Sequence, residues 1–375
     1  MRQWQPCWSK LSERIGALMI NEQTLSIRRS NLKQLDSLQF LRFVAAFSVV
    51  LFHFGSGLAI EYHLDRNYFF MGATGVDVFF VLSGFIISYS SNPARGLVYF
   101  ARKRIARIVP LYWLLTFVVV LIALVKPSLL NSTIVTVETI IKSLLFVPYQ
   151  KTGGAVQPIL FLGWTLCYEV FFYIIYGACL IFGARATWFA SAAVLLLIAL
   201  HEIWPEGSVE WRFYTNPILI EFVLGMMLHK AYSAYSAFRS GSNIAAALLI
   251  LLACGAHFFI VTFAGPSLFA SSLLAVLLVS GFLLMRMPAG RIWAILVLLG
   301  DASYSLYLIH PYTLQLPLKL LGKHLSLPFV TGILLVVTLC TIGISVVLLK
   351  FFERPMQALL MRQPKPIEQT VAPVG

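Results

Sequence analysis

Long apolar runs recur through most of the chain, and they constrain its fold more than any other feature. A run of roughly 20 apolar residues is long enough to cross the hydrocarbon core of a bilayer as a helix. Only 11% of the 375 residues are charged, whereas soluble domains carry about 25%. The sequence therefore predicts an all-α fold, a polytopic membrane helix bundle of about ten transmembrane helices. Their expected positions are near 38–57, 70–91, 109–126, 160–182, 187–204, 214–232, 244–263, 267–285, 293–311 and 328–350.

The distribution of basic residues predicts the orientation of this bundle. With the N-terminus inside, roughly three times as many Lys and Arg residues fall on the inner side as on the outer side, which is the bias of cytoplasmic loops. Both termini are therefore expected to be cytoplasmic. The chain divides into a basic cytoplasmic N-terminal segment (1–36), a membrane domain (37–355) and a cytoplasmic tail (356–375). Residues 1–36 lack the short apolar core of a cleavable signal peptide.

Several kinds of site lack support in the sequence. The five cysteines are scattered, mostly within apolar runs, and include no C-x-x-C pair, so neither a disulfide nor a metal site is expected. No P-loop, dinucleotide-binding glycine motif, H-E-x-x-H zinc motif or G-x-S-x-G serine motif is present. The net charge of +13 suits nucleic acid in a soluble protein, but here its placement follows membrane topology, and nucleic acid is not an expected partner.

The first apolar run carries two ionisable residues, Arg42 and His53. A helix turns about 100° and rises about 1.5 Å per residue, so His53 lies within roughly 20° of the Arg42 face and about 16 Å further along the axis. Ionisable groups inside a span are costly and usually functional. The alternatives are an interfacial anchor for Arg42 and a neutral histidine bonded to a neighbouring helix for His53. Together they predict a site on one face of the first helix.

Other ionisable residues lie within predicted spans. Asp77 and His310 are expected toward the outer ends of the second and ninth spans, and Glu169 follows about six residues into the fourth, among large aromatic residues. A buried carboxyl group must be paired, protonated or hydrogen-bonded. Asp77 or Glu169 would orient His53 and stabilise its charge, and His310 is a further catalytic candidate. The alternative for each acid is a hydrogen bond to a neighbouring helix.

A basic cluster follows the second span on the predicted inner side. Arg104 and Arg107 are three residues apart and share a helical face, and Arg102 precedes them. Two guanidinium groups on one face suit the oxygens of phosphate groups in bidentate geometry. The alternative is attraction of the cluster to anionic lipid. We predict a phosphate site formed by Arg104 and Arg107, with Arg102 and Arg42 as further contributors.

These elements, taken in order, resemble the acyltransferase-3 family of integral membrane O-acyltransferases. The resemblance covers nearly all of residues 35–355. It rests on R-x10-H at Arg42 and His53, GVDVFFVLSGF at 75–85, R-x-x-R at Arg104 and Arg107, GWTLCYEVFFY at 163–173, NPILIEFVLGM at 216–226 and SYSLYLIHP at 303–311. The GWTLCYE variant, without a C-terminal hydrolase-like domain, is most similar to the exopolysaccharide-type acetyltransferases.

The resemblance implies transfer of an acyl group, usually acetyl, from cytoplasmic acyl-CoA to a carbohydrate hydroxyl at the bacterial inner membrane. Acetyl-CoA is then a donor substrate, and no permanently bound cofactor is expected. In that family the first-span histidine is the catalytic candidate and the arginine pair is associated with the CoA donor. Here His53 would act as general base or carry the acyl group itself, with tyrosines stabilising the thioester oxyanion. The expected partners are acyl-CoA, a polysaccharide or lipid-linked glycan acceptor, and membrane lipid.

Two other functions suit the same residues. A transporter or flippase of lipid-linked glycan also places buried charges along a pathway and aromatic residues at its outer end. A non-catalytic sensor or assembly scaffold would make His53 dispensable. Transfer of label from acetyl-CoA to a glycan distinguishes the enzyme from both.

Overall fold

The computed structural model describes residues 36–126, 134–321 and 324–362, without the side chains of residues 237 and 239. The predicted basic segment 1–36 therefore lies almost entirely outside the described residues. The described chain is helical, and its single β-bridge joins Gln150 and Val156. The helices are α1 (Asp36–Glu61), α2 (Gly75–Ser90), α3 (Gly96–Val125), α4 (Val137–Leu144), α5 (Gly163–Cys179), α6 (Ala186–Ile203), α7 (Val209–Tyr214), α8 (Ile220–Ala234), α9 (Ser236–Ser240), α10 (Asn243–Ala264), α11 (Leu268–Leu284), α12 (Arg291–Asp301), α13 (Ser303–Leu321), α14 (Leu327–Leu348) and α15 (Arg354–Met361).

The prediction of a polytopic helical membrane protein is confirmed, but the count of ten spans is not. In the described part of the chain, six helices are long and apolar enough to cross a membrane, or up to seven if the bent pair α12–α13 is one span. The other predicted spans fall on shorter or joined helices. The α8 and α11 helices have 15 and 17 residues, and α5 and α6 form one long stretch that is kinked at Gly183.

Glycines allow a close helix approach between α2 and α8. A Cβ atom at Gly84 would overlap the backbone of Phe222, and one at Gly225 would overlap the backbone of Val81. Small residues at such contacts let the backbones of membrane helices pack directly on each other. The α2 helix, which also packs against α11, is therefore held rigidly in the bundle.

The α12 and α13 helices meet at a sharp break. They are bent by 67° relative to each other, and α12 approaches α1 closely because Gly300 lies against the backbone of Gln39. The break turns α13 into the middle of the bundle, where every residue from Ser303 to Pro311 is buried. A helix that is buried on all sides belongs to the core of a large helical assembly.

The chain remains ordered beyond the predicted end of the membrane domain. The α14 helix continues through a π-helical turn, Leu349–Glu353, directly into α15, which ends at Met361. The predicted boundary between residues 355 and 356 therefore falls inside α15, and this helix packs against α3. The remainder of the predicted tail, from residue 363, lies outside the described residues.

We predict that Gly225→Ala lowers the stability of the folded protein by about 1–3 kcal/mol, because the added methyl group is forced against backbone atoms that cannot move aside. Gly255→Ala is the matched control, since a Cβ there meets nothing within 4 Å. That control should be neutral or stabilising by up to about 1 kcal/mol. Thermal unfolding in detergent measures both, and equal melting temperatures for the two variants would contradict the packing argument.

Candidate active site

Two histidines from different helices meet inside the bundle. The Nδ1 atom of His53 on α1 lies 3.2 Å from the Nε2 atom of His310 on α13. His53 Nδ1 is also 3.0 Å from the carbonyl oxygen of Val49, and His310 Nδ1 is 3.1 Å from the carbonyl oxygen of Leu306. His310 is fully buried. We call His53 and His310 the histidine pair.

The two carbonyl groups determine where the protons of the histidine pair lie. A carbonyl oxygen only accepts, so His310 donates its Nδ1–H to Leu306 and keeps an acceptor lone pair on Nε2. His53 then donates its Nδ1–H to Val49 and His310. The Nε2 atom of His53 is left with a lone pair, which is the form that a general base requires.

Aromatic rings surround His53 on its other sides. The rings of Phe52 and Phe161 lie 5.1 and 5.7 Å from the imidazole, both with an edge toward it. Phe161 belongs to the segment that precedes α5, so this segment and α1 together enclose the base. His53 is half-buried, so these rings shield part of the imidazole from water and strengthen electrostatic interactions there.

Asp77 does not contact His53, contrary to the expectation that it orients the imidazole. Its carboxyl group lies close to that of Glu221 on α8. Ser272 on α11 donates a hydrogen bond of 2.9 Å to Glu221. Asp77 thus joins α2 to α8 and α11, which matches the alternative of a hydrogen bond between neighbouring helices.

The helical period of α2 explains this difference. Asp77 and Phe79 are two residues apart, so their side chains point about 160° away from each other around the helix. Phe79 contacts the ring of Tyr307 on α13, with centroids 5.8 Å apart, which places the face toward the histidine pair on the Phe79 side. Sequence alone gives the depth of Asp77 in the span, but not which face of α2 points toward α13.

A cavity of about 340 Å³ leads from the basic end of the bundle toward the histidine pair. Its wall is built by α1, α2, α3, α5, α13 and α15. We call it the arginine cavity, and its polar lining residues are Gln39, Arg42, Ser83, Tyr89, Ser90, Lys103, Arg104, Arg107, Thr165, Glu169, Tyr173, Ser303, Tyr304, Tyr307 and Gln357. Arg42, Arg104, Arg107 and Glu169 were all predicted site residues, and the structure brings them together here.

Arg104 and Arg107 present unused hydrogen-bond donors at this cavity. Arg104 is buried; its Nη2 donates to Ser90 at 2.8 Å, and its guanidinium group lies over the rings of Phe100 and Tyr173. Among the described residues, Arg104 Nε and Arg107 Nη2 are buried without a hydrogen-bond partner. Buried cationic donors without acceptors are costly. An anion in the cavity would supply the missing acceptors.

The other two predicted arginines behave differently from each other. Arg42 lines the arginine cavity together with Arg104 and Arg107, and it donates to Gln39 at 3.3 Å. Arg102 is turned away and donates to the carbonyl oxygens of Leu360 and Arg362 at 2.8 and 3.2 Å. It therefore ties the end of α15 to α3 and takes no part in the cavity wall. The prediction that Arg102 contributes to the phosphate site is not supported by this geometry.

Glu169 lies partway along the arginine cavity. It accepts hydrogen bonds from Ser83 at 3.1 Å and from the hydroxyl group of Tyr173. Within the described chain, the polar partners of His53 are Val49 and His310, not this carboxylate. Glu169 therefore belongs to the polar lining of the cavity. It does not orient the imidazole of His53, contrary to the prediction from the sequence.

Two hydroxyl groups close the end of the arginine cavity that lies toward the histidine pair. Thr165 Oγ1 and the Tyr307 hydroxyl are 3.0 Å apart, and the Tyr307 ring lies 6.1 Å from the ring of His310. His310 is one helical turn beyond Tyr307 on α13. The cavity thus ends about one turn short of the histidine pair, with Tyr307 between them.

Several lining residues escaped the sequence analysis. Ser83, Thr165 and Tyr173 lie within the motifs quoted above but were assigned no role, and Gln357 lies outside them. Glu353 was missed because it follows the last apolar run, yet it is buried and receives a hydrogen bond from Ser305. An acidic residue directly after a span is the pattern that would have indicated it. In the described regions no three His, Cys, Asp or Glu side chains are grouped to hold a metal ion.

Comparison with known proteins gives one family and several relatives. The family described as acyltransferase domain matches residues 35–350. The exopolysaccharide production protein ExoZ of Rhizobium meliloti (strain 1021) is 35% identical over 266 residues, which cover 68% of this chain and 80% of that protein. The acyltransferase MdmB of Streptomyces mycarofaciens is 25% identical over 338 residues, 78% of this chain and 82% of its own.

A third relative is matched over a shorter part. The putative peptidoglycan O-acetyltransferase YrhL of Bacillus subtilis (strain 168) is 31% identical over 197 residues, 45% of this chain and 30% of that protein. No solved structure matches the chain.

Proposed function

The chain belongs to the acyltransferase domain family, and from this premise we propose that it moves an acetyl group from cytoplasmic acyl-CoA to a carbohydrate hydroxyl. The acceptor is an exported polysaccharide or its glycan precursor at the bacterial inner membrane. One observation carries the proposal: the arginine cavity joins buried, unused cationic donors at one end to the neighbourhood of a catalytic base at the other. The names of two relatives, an exopolysaccharide production protein and a putative peptidoglycan O-acetyltransferase, support a carbohydrate acceptor. Family membership favours an acyltransferase over a flippase.

Arg104 and Arg107 bind the phosphate groups of the donor. Arg42 and Lys103 line the same end of the cavity and add positive charge. Hydrogen bonds between guanidinium groups and phosphate are charge-assisted and roughly twice as strong as neutral ones. This end is the cytoplasmic one under the predicted topology, and acyl-CoA is present on that side.

The length of the cavity suits the extended arm of the donor. Tyr173, which lies beside Arg104, is eight residues from Thr165 on α5, a rise of about 12 Å. The thioester carbonyl would therefore reach the Thr165 and Tyr307 hydroxyl groups while the phosphates remain on the arginines. Thr165 donates its proton to the carbonyl oxygen of Leu162, so the Tyr307 hydroxyl group is the donor in its contact with Thr165. By turning from Thr165, Tyr307 would donate to the oxyanion that forms when the thioester is attacked.

His53 supplies the base for the transfer. Its Nε2 atom accepts the proton of the sugar hydroxyl while the sugar oxygen attacks the thioester carbonyl. The tetrahedral intermediate then collapses by breaking the carbon–sulfur bond, and the proton held on Nε2 passes to the departing thiolate. In an alternative order, Nε2 first attacks the thioester carbonyl and the carbon–sulfur bond breaks to release the thiolate. The sugar hydroxyl then attacks the acyl-imidazolium, its proton passes to the thiolate, and the carbon–nitrogen bond breaks to return the lone pair to Nε2.

His310 has the role that sequence analysis had assigned to a carboxylate. It fixes the ring orientation and tautomer of His53, and its Nε2 accepts from the imidazolium that forms during transfer. A neutral acceptor stabilises this charge less than a carboxylate does. His310 is itself fixed by the Leu306 carbonyl. Tyr307 lies between the cavity and the histidine pair. Its side chain must therefore rotate out of the path of the thioester or lie beside it.

We predict that His53→Ala lowers the rate of acetyl transfer by about 10²–10⁴-fold, the contribution typical of a general base. His201→Ala is the control, because His201 bonds Thr215 and is not part of the histidine pair. The measurement is transfer of radiolabelled acetyl from acetyl-CoA to a glycan acceptor by the purified protein. Near-normal transfer by correctly inserted His53→Ala protein would overturn the assignment.

We predict that Arg104→Ala combined with Arg107→Ala raises the KM for acetyl-CoA by about 10- to 100-fold, because charge-assisted contacts to phosphate are lost. Arg95→Ala is the matched control: Arg95 is a basic residue of the same region, but its guanidinium group lies over Tyr99 and does not line the cavity. Steady-state kinetics at varied donor concentration measures both variants. Equal effects of the two changes would indicate general attraction by basic charge instead of a phosphate site.

A further inference from the structure

A π-helical turn lies between α14, the last span, and the short helix α15. This turn, Leu349–Glu353, joins α14 to α15 with no break in the chain direction. A π turn contains an additional residue compared with an α turn, and such turns occur frequently at functional sites. Within the turn, Lys350 and Phe351 are exposed, whereas Glu353 is buried with 5% of its surface exposed.

The buried position of Glu353 differs from that of its neighbour. Arg354 points outward and pairs with Asp301 at 2.9 Å, and both side chains are partly exposed. Glu353 points inward and accepts a hydrogen bond from Ser305, a fully buried residue of α13. The turn therefore delivers one acidic side chain to the interior while its basic neighbour remains at the surface.

The π turn that carries Glu353 packs against α3, the helix that carries Arg107. The charge of Arg107 acts on the buried Glu353 carboxyl group across this contact, as do the charges of Asp301 and Arg354 nearer the surface. The two groups do not form an ion pair, because no Arg107 nitrogen lies within 4.0 Å of a Glu353 oxygen. Arg107 Nη2 remains buried without a hydrogen-bond partner at the wall of the arginine cavity.

This separation satisfies two opposing requirements. A buried guanidinium group needs a counter-charge, or it moves along its flexible stem toward water. A direct ion pair would use the donors that an incoming phosphate needs. A carboxylate held a short distance away supplies the counter-charge and leaves the donors open.

We propose that Glu353 is a positioning residue of the donor site, holding Arg107 at the cavity wall through charge while leaving its Nη2 to a donor phosphate. The inference rests on the proposed function for the identity of the donor. It assigns no contact between Glu353 and the reacting atoms. Ser305 fixes Glu353 in place and is the second member of this arrangement.

The kinetic test is a double-mutant cycle on Glu353 and Arg107. Glu353→Gln keeps the shape of the side chain but removes its charge, so it should raise the KM for acetyl-CoA by about 5- to 50-fold and change kcat by less than about twofold. Arg107→Gln should raise the same KM. The double variant should be no worse than Arg107→Gln alone, because Glu353 acts through Arg107. Multiplicative effects, or a fall in kcat with KM unchanged, would overturn the proposal.

Two further variants control for a general effect of changing this region of the protein. Arg354→Gln breaks an exposed ion pair one residue away, and such pairs contribute little, so its donor KM should stay within about twofold of the wild type. Ser305→Ala retains the charge of Glu353 but removes its anchor, and it should raise the donor KM by less than Glu353→Gln does. If Glu353→Gln does not fold, an unchanged donor KM in Ser305→Ala overturns the proposal.

Thermal unfolding without ligand separates this inference from the proposed function. It is measured on the wild type, Glu353→Gln, Arg107→Gln and the double variant. Coupling between Glu353 and Arg107 in that cycle is expected whatever the donor is. Such coupling, combined with wild-type protein that neither binds CoA in calorimetry nor consumes acetyl-CoA, would overturn the proposed donor and retain the Glu353–Arg107 interaction. Purely additive effects on unfolding would overturn the inference itself.

Discussion

A buried cation needs an acceptor or a counter-charge, and the organisation of this membrane acyltransferase depends on how Arg104 and Arg107 meet that need. Arg104 donates one hydrogen bond to Ser90 and lies against two aromatic rings, but its Nε donor has no partner. Arg107 keeps Nη2 unused. Both arginines are thus held inside the bundle with donors available. The same need explains why α2, α3, α5 and α13 surround a polar cavity instead of closing on each other.

The broken span α12–α13 turns this cavity into a route. The 67° bend carries α13 into the middle of the bundle, where Tyr307 closes the cavity and His310 meets His53 one turn further on. The α1 helix contributes at both levels, since Arg42 lines the cavity and His53 lies beyond its end. Helix α2, held by its close glycine contact with α8, supplies Phe79 and Ser83 to the wall.

Helical period made part of the site predictable. Arg104 and Arg107 share one face of α3 and line one cavity. The spacing of Arg42 and His53 placed both on the face of α1 that points into the bundle. Relations between helices were not predictable in this way. Which face of α2 points toward α13 decides that Asp77 meets Glu221, and the bend before Ser303 decides that His310 reaches His53. Arg102 lies on the same segment as Arg104 but turns toward α15. Glu353 enters the interior only because of the π turn, and no propensity rule locates such a turn.

We propose that a donor bound at the arginine end of the cavity acylates an acceptor that approaches His53 from the opposite side of the membrane. Proteoliposomes with the protein in one orientation test it most directly, with labelled acetyl-CoA on one side of the membrane and a glycan acceptor confined to the other. The account predicts labelled glycan when acetyl-CoA is on the side of Arg104 and Arg107, and none when the two substrates are exchanged. Transfer only when donor and acceptor share a compartment would contradict it.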